Sequence, residues 1–202
     1  AFKWLSDNGI TYEFKLEYKE DLDEQKQGSG ELLKICESFC KTKHPQPIIA
    51  IFDRDEPEFI KKVHDDAKGF KDWGNGLYSF AIPVPKHRSD QDGICIELYY
   101  KDSEIQKEYN SKRLFLSNEF NSKSGRHQNL DLNTDRTKIK ANQLKIIADN
   151  VFDANHDNVA LPKNNFADCI FAGINGFHDF NFEEFKEIFI VIEKILKHFS
   201  ES

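Results

Sequence analysis

The stretch PIIAIFDRDEPEF, residues 47–59, decides how the rest of the chain is read. Residues 48–52 are apolar without a polar break, as expected for a central strand of a parallel sheet covered on both faces. Asp53, Arg54, Asp55 and Glu56 then arrive together, ahead of a proline suited to the first turn of a helix. In open α/β sheets ligands gather at the carboxyl ends of the parallel strands. Alternate residues of an extended chain point the same way, so Asp53 and Asp55 are expected to converge there. Two converging carboxylates repel unless a cation neutralises them. Mg²⁺ or Mn²⁺ prefers hard oxygen ligands, and either ion can polarise a phosphate and activate water. Asp55 or Glu56 is equally suited to capping the helix that Pro57 opens. Asp53 directly follows the apolar run, where an unpaired charge is costly.

Upstream, AFKWLSDNG (1–9) reads as the end of a helix, with Phe2, Trp4 and Leu5 facing inward and Gly9 closing it. ITYEFKLEY (10–18) alternates as a half-exposed strand does, and 19–28 is a polar loop. SGELLKICESFCKTK (29–43) sets Leu32, Leu33, Ile35, Cys36, Phe39 and Cys40 on one helical face. Downstream, EPEFIKKVHDDA (56–67) predicts a helix, KDWGNG (71–76) a turn with Trp73 at its base, and LYSFAIPVP (77–85) a strand whose Pro83 marks an end or an edge. GICIELYY (93–100) is an apolar run broken only by Glu97 and predicts a further strand, with Glu97 aimed into a site or onto a solvated face. Residues 101–143 read as an irregular polar insertion, and LKIIADNVF (144–152) as a late strand. NNFADCIFAG (164–173) and FEEFKEIFIVIEKILKHF (182–199) predict helices, the second with Asn181 and Glu184 as a capping pair. The order predicts an α/β fold: a Rossmann-like, mainly parallel sheet flanked by helices, with a polar insertion and a C-terminal amphipathic helix.

The 202 residues carry a formal charge of −7, which argues against coating nucleic acid by charge alone. It leaves room for an enzyme whose acids hold metal, because the cation reverses the local field. Cys36, Cys40, Cys95 and Cys169 lack the spacing of a zinc site and read as reduced thiols. With no signal peptide and no apolar run long enough to span a bilayer, the chain is expected to be cytoplasmic and off the membrane. It begins at Ala1 and contains no Met, which fits a fragment.

FDRD after a strand, CIELYY later and then LPKNNFADCI resemble the Toprim domain of OLD-family (overcoming lysogenisation defect) nucleases and related bacterial defence proteins. The likeness covers residues 1–172, with 173–202 as a terminal helix packed on the domain or on a partner. It implies a metal-dependent nuclease, with Asp53, Asp55 and Glu97 as ligands of Mg²⁺ or Mn²⁺. Glu97 is also the additional catalytic acid, and Lys163 the lysine beside the scissile phosphate. It further implies nucleic acid as partner, DNA ahead of RNA, together with an ATPase domain or subunit and a second copy of the chain. The glutamate that Toprim domains carry after their first strand would lie ahead of residue 1, and Glu13 and Glu17 are poor stand-ins. No GxxxxGK[ST] occurs. A catalytically incomplete module docking on an ATPase is the alternative. A dehalogenase-type phosphatase with Asp53 as nucleophile lacks the hydroxyl residue expected soon after its second Asp. Metal binding at HDD (64–66), nucleic-acid contact at KSGRH (123–127) and a calcium loop at DANHDN (153–158) are weaker readings than a helix end, a solvated loop and a turn.

Overall fold

The computed structural model describes residues 1–17, 28–139 and 143–201. The chain is a mixed α/β protein with small sheets, and it divides into two compact units. One comprises Ala1–Pro83 with Phe185–Ser202, the other Val84–Glu184.

The first unit is built on a sheet of β1 (Ile48–Phe52), β2 (Lys71–Gly74) and β3 (Leu77–Ala81), in the order β1-β3-β2. β1 runs parallel to β3, and β2 is antiparallel to it. The strand expected to be central is therefore an edge among the described residues, and its Ile51 is 40% exposed. β3 takes the central place and is buried throughout, ending before Pro83. The turn read in KDWGNG is present, but its first four residues also pair as β2. Gly74, Asn75 and Gly76 all have positive φ, which lets the chain reverse tightly between β2 and β3.

Helices α1 (Phe2–Asp7), α2 (Ser29–Phe39), α3 (Pro57–Val63) and α6 (Lys186–Ser200) complete this unit. Leu33 and Cys36 of α2 and Val63 of α3 form one core with Ala50, Phe52 and Leu77. On the other face of β3, the Tyr78 ring meets His198 and Phe199 of α6 edge-on. His198 also pairs with Asp72 at 3.0 Å. The buried Ser79 hydroxyl donates to the Val63 carbonyl and accepts from the Trp73 indole, so this core hydroxyl is satisfied.

Residues 10–17 form no strand, although the alternation is real. Ile10, Tyr12 and Phe14 are half-buried, while Thr11, Glu13 and Lys15 are exposed. The Tyr12 and Phe14 rings pack on Phe2, and Tyr12 also on Phe189, so ring packing takes the place of a ladder. Tyr18 and the polar stretch 19–27 lie outside the described residues. Gly9 closes α1 as expected, at φ +83, with the Ile10 amide returning to the Leu5 carbonyl.

The second unit holds α4 (Asp102–Ile105), α5 (Lys163–Phe171) and two antiparallel pairs. β4 (Phe115–Leu116) pairs with β6 (Ile146–Ile147), and β5 (Asn133–Thr134) with β7 (Val151–Phe152). The sheets are thus short and mixed. GICIELYY is not a strand: Ile96–Tyr99 is a 3-10 helix, closed by Leu98 N to Cys95 O and Tyr100 N to Glu97 O. The run is apolar because Ile94, Cys95, Leu98, Tyr99 and Tyr100 are all buried, and periodicity cannot separate that from a buried strand. The stretch read as an insertion contributes Leu114, Phe115, Leu116 and Phe120 to the core. Tyr100, Phe166, Phe177, Phe180 and Phe182 form a second aromatic group around α5. Of the expected capping pair, Asn181 accepts from the Glu183 amide, whereas Glu184 accepts from Lys86 N.

Candidate functional site

β1 delivers Asp53 and Asp55 to its carboxyl end. The tip is fixed by a clamp the sequence did not announce. Arg54 Nε donates to the Ile82 carbonyl at 2.7 Å and its Nη2 to the Ala81 carbonyl at 3.3 Å, tying the tip to the outgoing end of β3. Arg54 Nη2 also lies 3.3 Å from His64 Nε2. His64 Nδ1 accepts from the Ala81 amide. Burial, and then the Arg54 charge, push the His64 pKa down against the pull of Asp66 and Asp65. His64 thus serves the end of β3.

Asp53 and Asp55 are both half-buried. The N-cap of α3 is Glu56, which makes no side-chain cap bond. Asp55 has neither a hydrogen bond nor an ion pair among the described residues. The capping explanation for the acids therefore has no bond to support it.

In the second unit the structure brings Glu97 and Lys163 together. The Lys163 ammonium donates to Glu97 Oε2 at 2.8 Å, with the carboxylate side chain 11% exposed and the lysine side chain 39%. Glu97 is presented by the 3-10 helix Ile96–Tyr99 and Lys163 by the first turn of α5, just after Pro162. Burial, then Glu104 and Glu97, push the neighbouring Tyr100 hydroxyl to a raised pKa, so it remains a neutral phenol.

Among the described residues no group of three or more His, Cys, Asp and Glu is placed to hold a metal ion. The donors at the β1 tip are oxygen only, which suits Mg²⁺ or Mn²⁺ and not zinc. Mg²⁺ commonly takes one or two carboxylates and keeps waters and substrate phosphate as its other ligands.

A buried polar cluster also escaped the sequence reading. Arg113 grips Glu119 with both Nη groups, at 3.1 and 2.6 Å, and its guanidinium lies 3.8 Å from the Phe115 ring centroid. His127 Nε2 meets Glu119 at 3.2 Å, while its Nδ1 accepts from the amides of Asn129 and Leu130. In KSGRH, then, Lys123, Ser124 and Arg126 are exposed, but the His127 side chain is a core group, 5% exposed. The only signal in the sequence was its neighbourhood: a His between Phe120 and Leu132, with an acid eight positions earlier.

Fold and site together define a mixed α/β protein with an acid-tipped strand in one unit and, in the other, a buried acid paired with a partly exposed lysine. No family model matches the chain, and neither does any curated protein or any solved structure. No helix among the described residues is long and apolar enough to cross a membrane.

Proposed function

We propose that this chain is the catalytic part of a metal-dependent nuclease that hydrolyses phosphodiesters, an endonuclease of Toprim-like design acting with an ATPase in antiviral defence. The observation that carries the proposal is Asp55, a half-buried carboxylate without a partner among the described residues, three residues beyond the end of a parallel strand and one beyond the clamped Arg54. An uncompensated carboxylate in that position is costly, and a divalent cation removes the cost.

In this reading Asp53 and Asp55 hold Mg²⁺ or Mn²⁺, which when bound supplies Lewis-acid chemistry at a phosphate oxygen. Glu97, expected as a further ligand, acts as the group that holds and orients the Lys163 ammonium, given their 2.8 Å contact.

The test is calorimetric titration of Mn²⁺ into the full chain, its Asp53→Asn variant and its Asp55→Asn variant, alongside cleavage assays on DNA and RNA. Micromolar binding lost in both variants, with cleavage lost in step, is expected. A silent titration with the parent would overturn the metal reading. It would favour the assembly module docking on an ATPase, which the absence of a three-ligand group among the described residues also fits.

A further inference from the structure

The second unit contains a cleft of about 510 Å³, formed by residues between 87 and 144, within the roughly 300–1,000 Å³ typical of small-molecule sites. None of the groups proposed for phosphodiester chemistry lines it. Its chemistry is that of an uncharged ligand. Arg88 lines it, but the guanidinium is committed to the carbonyls of Leu98 and Tyr100 and to Asp102. Asp90 adds negative charge to the wall. A phosphate or carboxylate gains nothing here.

The lining contains two primary amides that are not spent on the fold. Asn118 and Gln143 make no side-chain hydrogen bond among the described residues. Both are held by their backbones. Asn118 lies in the 3-10 turn Ser117–Glu119, which Glu119 anchors through the Leu116 amide, and its own carbonyl accepts from Gln128. The Gln143 carbonyl accepts from Ser117 Oγ, and the next two amides are held by Gln91 and Ser117. The Gln143 amide lies over Gly93, where an added methyl would sit 2.2 Å from its Nε2. Phe120, Ile139 and Leu144 supply apolar wall. Two amides on held backbones, each a paired donor and acceptor, beside apolar wall and with no uncommitted Lys or Arg among the lining residues match a flat molecule with apolar faces and a polar edge. Such amides pair bidentately with an edge that offers an adjacent donor and acceptor, as adenine does at N6 and N7.

We propose that this cleft is a nucleobase-binding site that receives one unstacked adenine of a single strand. The proposal rests on the nuclease reading for the polymer, while the recognition chemistry rests on the cleft itself. In the proposal, Asn118 and Gln143 read the base edge, and the apolar wall covers its face.

The experiment is fluorescence anisotropy of the full chain, in EDTA, with labelled oligo-dA of about ten nucleotides, a length within single-strand site sizes. Oligo-dT and an abasic strand of the same length serve as comparisons. Oligo-dA should bind about tenfold or more tightly than the abasic strand, the scale of one good amide–base pairing. The Asn118→Ala/Gln143→Ala variant should lose that preference while keeping its circular dichroism spectrum. Equal binding of oligo-dA and the abasic strand overturns the proposal, as does a preference that survives in the double variant. Side-chain amide NMR signals of Asn118 and Gln143 supply a second readout: they should shift with adenosine, and unmoved signals overturn it too. Because EDTA removes any metal, base preference without cleavage sinks only the nuclease reading, and cleavage without base preference sinks only this one.

Discussion

Replacing Arg113 by Met should destabilise the second unit by about 3 kcal/mol, the lower end of the cost of stripping one partner from a buried ion pair. Glu119 accepts four hydrogen bonds: two from Arg113, one from the Leu116 amide at 2.6 Å and one from His127 at 3.2 Å. His127 Nδ1 is an acceptor for two backbone amides, so the ring proton sits on Nε2 and is donated to Glu119. The variant therefore removes two donors of four and leaves the carboxylate, 12% exposed, with the other two. Those survivors place the expected cost at the low end of the range. Glu119→Gln should cost about 2 kcal/mol, because its amide nitrogen then faces a guanidinium. The Arg113→Met/Glu119→Gln double variant should fall short of the sum by about 1.5 kcal/mol, as groups in one network do. The same cluster sets an acid limit. Burial by itself would raise the Glu119 carboxyl, but the Arg113 bonds, the Leu116 amide and His127 outweigh it and hold the pKa below the usual range. The stability this confers is full above the unfolded value of about 4.3 and is lost as pH falls through the folded value. Urea unfolding followed by circular dichroism, at pH 7 and at steps below 5, measures all of this. An Arg113→Met protein within about 0.5 kcal/mol of the parent, or strictly additive variants, would refute the reasoning, since additivity is what uncoupled sites give.

A second pH dependence belongs to the first unit. The His64 pKa is lowered, so its contribution is present above the unfolded value of about 6.5 and lost as pH falls below it. Thermal melts between pH 5 and 8 should show a fall on the acid side that His64→Gln flattens, and a flat parent curve would contradict the assignment. Gly125→Ala should cost about 2 kcal/mol or more, since Gly125 has positive φ and an L side chain there is strained. Its Cβ would also lie 2.2 Å from the Thr134 carbonyl, whose own amide is bonded to Gly125 O. Urea midpoints compare the two proteins, and an unchanged midpoint would mean that this loop does not hold the tight pairing.

What could be read from the sequence was whatever a local pattern dictates. α2, α3, α5 and α6 follow from helical spacing and from Pro57, and β1 and β3 from their apolar runs bounded by Pro and Gly. What escaped was set by partners distant in the chain. Nothing local says that β3 and not β1 is central, because both are apolar on both faces, and the hairpin to β2 decides it. Nothing local says that Glu97 lies on a 3-10 helix, because a buried turn and a buried strand look alike over eight residues. The proximity of Glu97 and Lys163, 66 residues apart, came only through a family likeness and then through the fold. The Arg113–Glu119–His127 cluster left only a faint sequence signal, the apolar neighbours of His127, because its residues otherwise look like ordinary polar ones in a polar stretch.

The acids at the β1 tip can be weighed on the same physical grounds. Arg54 separates them in sequence, and a charge-balanced tip could have been built by turning its guanidinium onto Asp55. The arginine instead donates to two backbone carbonyls at the end of β3, and Asp55 has no bond among the described residues. The clamp therefore supplies rigidity to the tip without neutralising Asp55. Under the proposed metal reading, a rigid backbone beside an uncompensated carboxylate favours a cation, since ordering the ligands beforehand lowers the entropic cost of binding. Had Asp55 served as the cap of α3, it would be bonded to the first amides of that helix, and that bond is absent from the described residues.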